Sequence, residues 1–130
     1  MILDTSAMLA ILFREPGYEV FEKALAGATK CRLSAASFVE AGIVLESRGG
    51  AAALRESDAL IRAGGIQIEA VTEEQAQLAR QCYSDYGKGR HAAGLNFGDC
   101  FAYALAKATG EPLLFKGQDF GLTDIQGAIT

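Results

Sequence analysis

The chain has 130 residues, half of them apolar, and a formal net charge of −4. That length fits one domain around one sizeable core, and so large an apolar share excludes a disordered chain. The mild acidity excludes nucleic-acid binding by bulk positive charge but leaves a nuclease open, because bound divalent ions invert the field of an acidic site.

Cys31, Cys82 and Cys100 are odd in number, lie in apolar surroundings and show no CxxC spacing. They read as free buried thiols rather than as a zinc knuckle or a disulfide scaffold. No run resembles a signal peptide or reaches membrane-spanning length, so the expectation is a cytoplasmic protein without a membrane partner.

In chain order, residues 1–4 read as a short buried strand ending at Asp4, followed by a helical patch from about Ala7 to Phe13. Pro16 marks the start of a second helix through about Ala26. Residues 31–33 suit another brief strand, and Ser34 caps a helix to about Ser47 that is apolar nearly all round and therefore expected to be buried on several sides. Gly49-Gly50 breaks the chain, and a helix over about 51–63 ends at Gly64-Gly65. Ile66 to Val71 predicts a strand with Ile66, Ile68 and Ala70 on one face. Thr72-Glu73-Glu74-Gln75 starts a helix whose stripe is Ala76, Ala79, Cys82, Tyr83 and Tyr86. A basic loop, Gly87 to Gly94, precedes a helix capped by Asn96 and ended by Gly110. Leu113 to Phe115 reads as a strand, and Thr123-Asp124-Ile125 as a last short one. Short strands alternating with longer helices predict a single α/β domain over residues 1–130, with a mostly parallel sheet of about five strands covered on both faces.

Four acids stand in apolar company: Asp4 behind Met1-Ile2-Leu3, Glu40 within Phe38 to Val44, Asp99 between Gly98 and Cys100, and Asp119 after Leu113 to Gln118. A buried carboxylate is costly unless it is hydrogen-bonded, paired or facing a metal. Each has a purely structural alternative. Glu40 and Asp99 each fall three residues after a capping type, Ser37 and Asn96; Asp4 can bond its own backbone; Asp119 sits in an ordinary turn sequence. Those alternatives explain the acids one by one. They do not explain why all four fall at strand carboxyl ends or in the early turns of helices, which share one edge of an open parallel sheet. Clustered carboxylates repel, and two divalent ions would neutralise them; hard oxygen ligands favour magnesium or manganese. Such ions activate water for attack on a phosphodiester, so no protein nucleophile is required.

The same residues carry a resemblance. Ile2-Leu3-Asp4-Thr5-Ser6, Ser37-Phe38-Val39-Glu40, Leu95 to Ala106 and Leu113 to Phe120, followed by Thr123-Asp124-Ile125, together resemble the PIN-domain ribonucleases of the VapC toxin type. The resemblance spans essentially the whole chain and implies a PIN-like three-layer α/β/α fold. It implies that Asp4, Glu40, Asp99 and Asp119 are catalytic and bind one or two Mg2+ or Mn2+ ions. Ser6 resembles the hydroxyl residue supporting the first acid, Asn96 the residue shaping the helix start, and Asp124 a further member of the acidic pocket. It also implies endonucleolytic cleavage of structured RNA such as transfer or ribosomal RNA, a toxin homodimer, and a cognate antitoxin that blocks the acidic groove. The segment His91-Ala92-Ala93 departs from the commoner family form, which has a proline there.

Lys116, Lys88 and Arg90 are candidates for a sparse phosphate-contacting rim, Lys116 best placed of the three. A regulatory acidic-pocket domain is the rival reading, either receiver-like with Lys116 assisting phosphotransfer or a protein-binding module without catalysis. It leaves Glu40 and Asp99 unexplained.

Overall fold

The computed structural model describes residues 1–129, so the expected domain end at residue 130 lies outside the described residues. Four parallel strands, β1 (Ile2–Leu3), β2 (Cys31–Ser34), β3 (Ile66–Glu69) and β4 (Leu113–Leu114), form one sheet in the order β3-β2-β1-β4. Ile2 pairs with Arg32 on one side and Leu113 on the other, and β2 runs in register with β3 from Cys31–Ile66 to Ser34–Glu69. The expected strand at residues 123–125 does not form. A single 3-10 turn, Phe120–Leu122, precedes it, and the chain returns to the sheet only at Gly127, which bridges Leu113.

The neighbouring strands β1 and β4 are only two residues long, yet they divide the core. Leu3 and Leu114 face a cluster built with helices α1 (Thr5–Leu12), α2 (Tyr18–Gly27) and α3 (Ala35–Ala63). Ile2 and Leu113 face the opposite cluster, built with α4 (Glu73–Tyr86) and α5 (Phe97–Thr109). Alternation of side chains across the pleat thus buries both faces, and the expected three layers result.

Most helix boundaries follow local chemistry. Thr72 caps α4 by accepting from the Gln75 N–H at 3.1 Å, and Gly110 closes α5 in the left-handed region at φ 71°. The expected break at Gly49-Gly50 is a sharp bend within α3: Gly50 adopts φ 63° and ψ −156°, a conformation open only to glycine.

Three burial expectations are corrected. The first half of α3 buries a single stripe, Ser37, Ala41 and Leu45, while Val39 and Ile43 face solvent. In β3, an edge strand, Ile66 is buried but Ile68 is exposed. On α4 the buried residues are Gln75, Ala79 and Cys82, with Ala76 and Tyr83 outside. The three cysteines are free and buried, as expected.

Candidate functional site

The strand order places a switch point between β1 and β4: from β1 the chain winds outward through β2 and β3, then returns to β1's other side. Ligand crevices of open parallel sheets lie at such a point, beyond the strand carboxyl ends. Asp4 leaves β1 there as the N-cap of α1, and the loop after β4 passes beside it.

Asp4 is almost wholly buried, 3% exposed. Ser6 donates its N–H at 3.0 Å, and also its hydroxyl, to Asp4 Oδ2. Ser6 Oγ in turn accepts the Lys116 backbone N–H at 2.9 Å, tying the exit of β4 to the acid of β1. Both bonds from Ser6 fall on one oxygen, so Asp4 Oδ1 keeps no hydrogen-bond partner among the described residues. Burial pushes the Asp4 carboxyl up to about 6; the Ser6 bonds oppose that rise, and the nearby charges of Asp99 and Glu40 add to it.

Asp99 enters from the first turn of α5. Its Oδ2 accepts the Asn96 N–H while Asn96 Oδ1 accepts the Asp99 N–H, each at 2.9 Å, a reciprocal capping box. The structural alternative for Asp99 is therefore realised, but it occupies one oxygen only. Burial raises the Asp99 carboxyl despite its Asn96 bond, with Glu40 and Asp119 adding to the rise.

Glu40 comes from the second turn of α3. The capping box with Ser37 does not form, since Ser34 caps this helix through the Ala36 N–H at 3.3 Å and Ser37 lies buried inside it. The Ser37 Oγ has no hydrogen-bond partner. Glu40 instead extends to α5, where its carboxylate rests against Gly98. Asp119, exposed at the start of the 3-10 turn, caps nothing with its side chain and adds its charge at Asp99.

Four acids from four separate segments thus converge electrostatically at one edge of the sheet. Among the described residues none of the four makes an ion pair, whereas Glu15, Glu69, Glu111 and Asp124 all do. The donor set is all carboxylate oxygen, which suits a hard divalent cation. No three His, Cys, Asp or Glu side chains among the described residues are gathered tightly enough to hold an ion as they stand. Occupancy therefore requires the side chains to draw in, a movement opposed by their mutual repulsion until a cation neutralises it.

The remaining candidates divide. Ser6 and Asn96 each hold one of the acids. Asp124 does not join them: it accepts from Tyr103 Oη at 2.7 Å and Lys107 Nζ at 2.9 Å, further along α5. Burial would raise the Asp124 carboxyl, but the bonds from Lys107 and Tyr103 prevail and lower it. The Lys116 ammonium pairs with Glu15 at 2.8 Å and does not serve the acids. That removes the lysine a phosphotransfer reading requires. Lys88 and Arg90 lie exposed on the loop between α4 and α5, Arg90 over the Tyr83 ring. Gly98 is not among the residues expected from the sequence. Its signal was a glycine in the first turn of a helix, a position where alanine is favoured.

A PIN domain family model matches residues 1–125. The chain is 51% identical over 125 residues to the Ribonuclease VapC of Mycolicibacterium smegmatis, covering 96% of this chain and 97% of that protein. It is 52% identical over 130 residues to Ribonuclease VapC28 of Mycobacterium tuberculosis, covering 99% and 98%. The fold is similar to the crystal structure of Mycobacterium tuberculosis VapC20, a sarcin-ricin loop cleaving toxin. That match has a TM-score of 0.77 and 17% identity over 95% of each chain.

Proposed function

The chain belongs to the PIN-domain family, among the VapC ribonucleases, and from that premise we propose that it is a divalent-metal-dependent endoribonuclease toxin. Its substrate is RNA, with structured transfer or ribosomal RNA the class the family suggests. The observation that carries the reading is the convergence of Asp4, Glu40, Asp99 and Asp119 at the switch-point edge with no cationic side chain paired to any of them.

Magnesium or manganese bound there would neutralise the cluster and supply water activation and charge stabilisation for phosphodiester hydrolysis. The chain's own part is to orient two of the four carboxylates and leave the others room to draw in. Ser6 anchors Asp4 by one oxygen and leaves the other free; Asn96 does the same for Asp99. Glu40 and Asp119 bring carboxylates from opposite sides, one from α3 and one from the loop after β4. Anchoring by neighbouring hydrogen bonds matters because such partners hold a ligand's orientation and its basicity.

A cognate antitoxin and a homodimer complete the proposal. The apolar residues Val39, Ile43 and Phe97, all exposed near Glu40 and Asp99, are surface that such partners would cover. No helix among the described residues is long and apolar enough to cross a membrane.

The test is cleavage of total RNA with added magnesium or manganese, with chelator, and with the Asp4→Asn and Asp99→Asn variants. Cleavage should require the metal. Each substitution should lower it beyond the ~10–100-fold typical of losing a supporting residue, with the fold retained by circular dichroism. Chelator-resistant cleavage, or full activity in both variants, would sink the reading.

A further inference from the structure

Gly98 is the second residue of α5, directly before Asp99. A Cβ built on it would overlap the Glu40 carboxylate, with both oxygens and the carboxyl carbon of Glu40 inside contact distance. Every other atom near Gly98 is further away than these three. The clash is one-sided in origin, because α5 is fixed at this point by the Asn96–Asp99 capping box and by Cys100, whose thiol donates to the Asn96 carbonyl at 3.3 Å. The helix cannot easily retreat, so a side chain at Gly98 would have to evict Glu40.

Helix propensity makes the glycine costly. Glycine is disfavoured against alanine in helices, and although Gly98 lies in the first turn, nothing in the backbone of α5 demands it there: Gly98 is not among the residues with positive φ. The position therefore trades helix stability for the close approach of a carboxylate to the first helical turn. That turn is also where a helix dipole favours negative charge.

We propose that Gly98 is a positioning residue for Glu40, its missing side chain being the clearance through which the α3 carboxylate reaches the company of Asp99. The consequence for catalysis rests on the ribonuclease reading above; the consequence for the placement of Glu40 does not.

The experiment uses the full chain in four forms: wild type, Gly98→Ala, Glu40→Ala and the double variant. Thermal unfolding is measured without metal. In the Glu40→Ala background the added methyl meets no carboxylate, and Gly98→Ala should raise Tm by about 3 °C, as helix propensity dictates. With Glu40 present the methyl must also displace the carboxylate, so the effect of one methyl differs in sign or size between the two backgrounds.

Manganese titration of wild type and Gly98→Ala gives a second readout. The substitution should weaken binding about tenfold or more, and a Gly98→Ala/Glu40→Asp chain, whose shorter acid makes room, should lose less relative to Glu40→Asp alone. An equal rise in Tm in both backgrounds with manganese affinity unchanged would overturn the proposal. The background-dependent Tm effect, with no RNA cleavage by the wild-type chain, would uphold the placement and sink the ribonuclease reading instead.

Discussion

Asp4 carries two opposing demands in one side chain. Ser6 stabilises its charged form through two bonds to Oδ2, yet burial outweighs them and raises the carboxyl to about 6 from 3.8. The folded chain without metal therefore binds this proton more tightly than the unfolded chain does. Its contribution to stability is fully present below about pH 3.8 and is lost as pH rises through about 6. Asp99, also raised, acts in the same direction. Denaturant unfolding of the metal-free protein should show Asp4 alone withdrawing on the order of 2 kcal/mol between pH 4 and 7. Asp4→Asn should flatten much of that slope and melt higher than wild type at pH 7 while losing activity. A wild-type stability that climbs with pH across this window would contradict the raised carboxyl.

At the scale of elements, α5 aims one acid and keeps another away. Its capping box is made by Asn96 and Asp99, so Asn96→Ala should cost about 1 kcal/mol of stability. It should lower RNA cleavage per folded molecule much less than Asp99→Asn does, since the backbone N–H of residue 96 that holds the Asp99 carboxylate is kept and only the bond from the Asp99 N–H to the Asn96 side chain is lost. Two turns on, Tyr103 and Lys107 hold Asp124 in a half-exposed pair. Exposed pairs contribute roughly 0–1 kcal/mol. Asp124→Asn should therefore shift the urea midpoint only slightly and leave cleavage within about twofold of wild type. A collapse of cleavage comparable to that of Asp99→Asn would return Asp124 to the acidic site.

For the whole molecule, the acids are a source of repulsion that protonation or a bound cation relieves. They gather where the sheet order reverses, on the one edge reached by β1, α3, α5 and the loop after β4 together. A cation bound there and absent from the unfolded chain stabilises the fold by linkage, about 2.7 kcal/mol at roughly 100-fold above Kd. Manganese titrated to millimolar concentration should raise Tm in wild type and much less in Asp4→Asn. An unchanged Tm in wild type would exclude cation binding by these acids in the folded chain. With Lys116 paired to Glu15, the proposed attraction of RNA would fall to exposed cations such as Lys88 and Arg90.

The sequence by itself determined which residues are acids in apolar company, where helices begin and end, and that the sheet is parallel. Those features depend on hydrogen bonds and periodicities spanning only a few residues, as at Asn96–Asp99, Thr72–Gln75 and Gly110. Only the tertiary structure decided which acids meet. Asp119 and Asp124 lie five positions apart, one expected among the four acids and the other as a further member of their pocket, and they part because α5 offers Lys107 and Tyr103 to Asp124 alone. Glu40 crosses to Gly98 on α5 instead of turning back to Ser37 in its own helix. Lys116 turns to Glu15, far away in sequence. Segment 123–125 has strand-forming residues but no open edge in register, because Gly127 takes the bridge to Leu113. Each of these outcomes is a choice between partners on different elements, and the energies that make it exist only once the layers have packed.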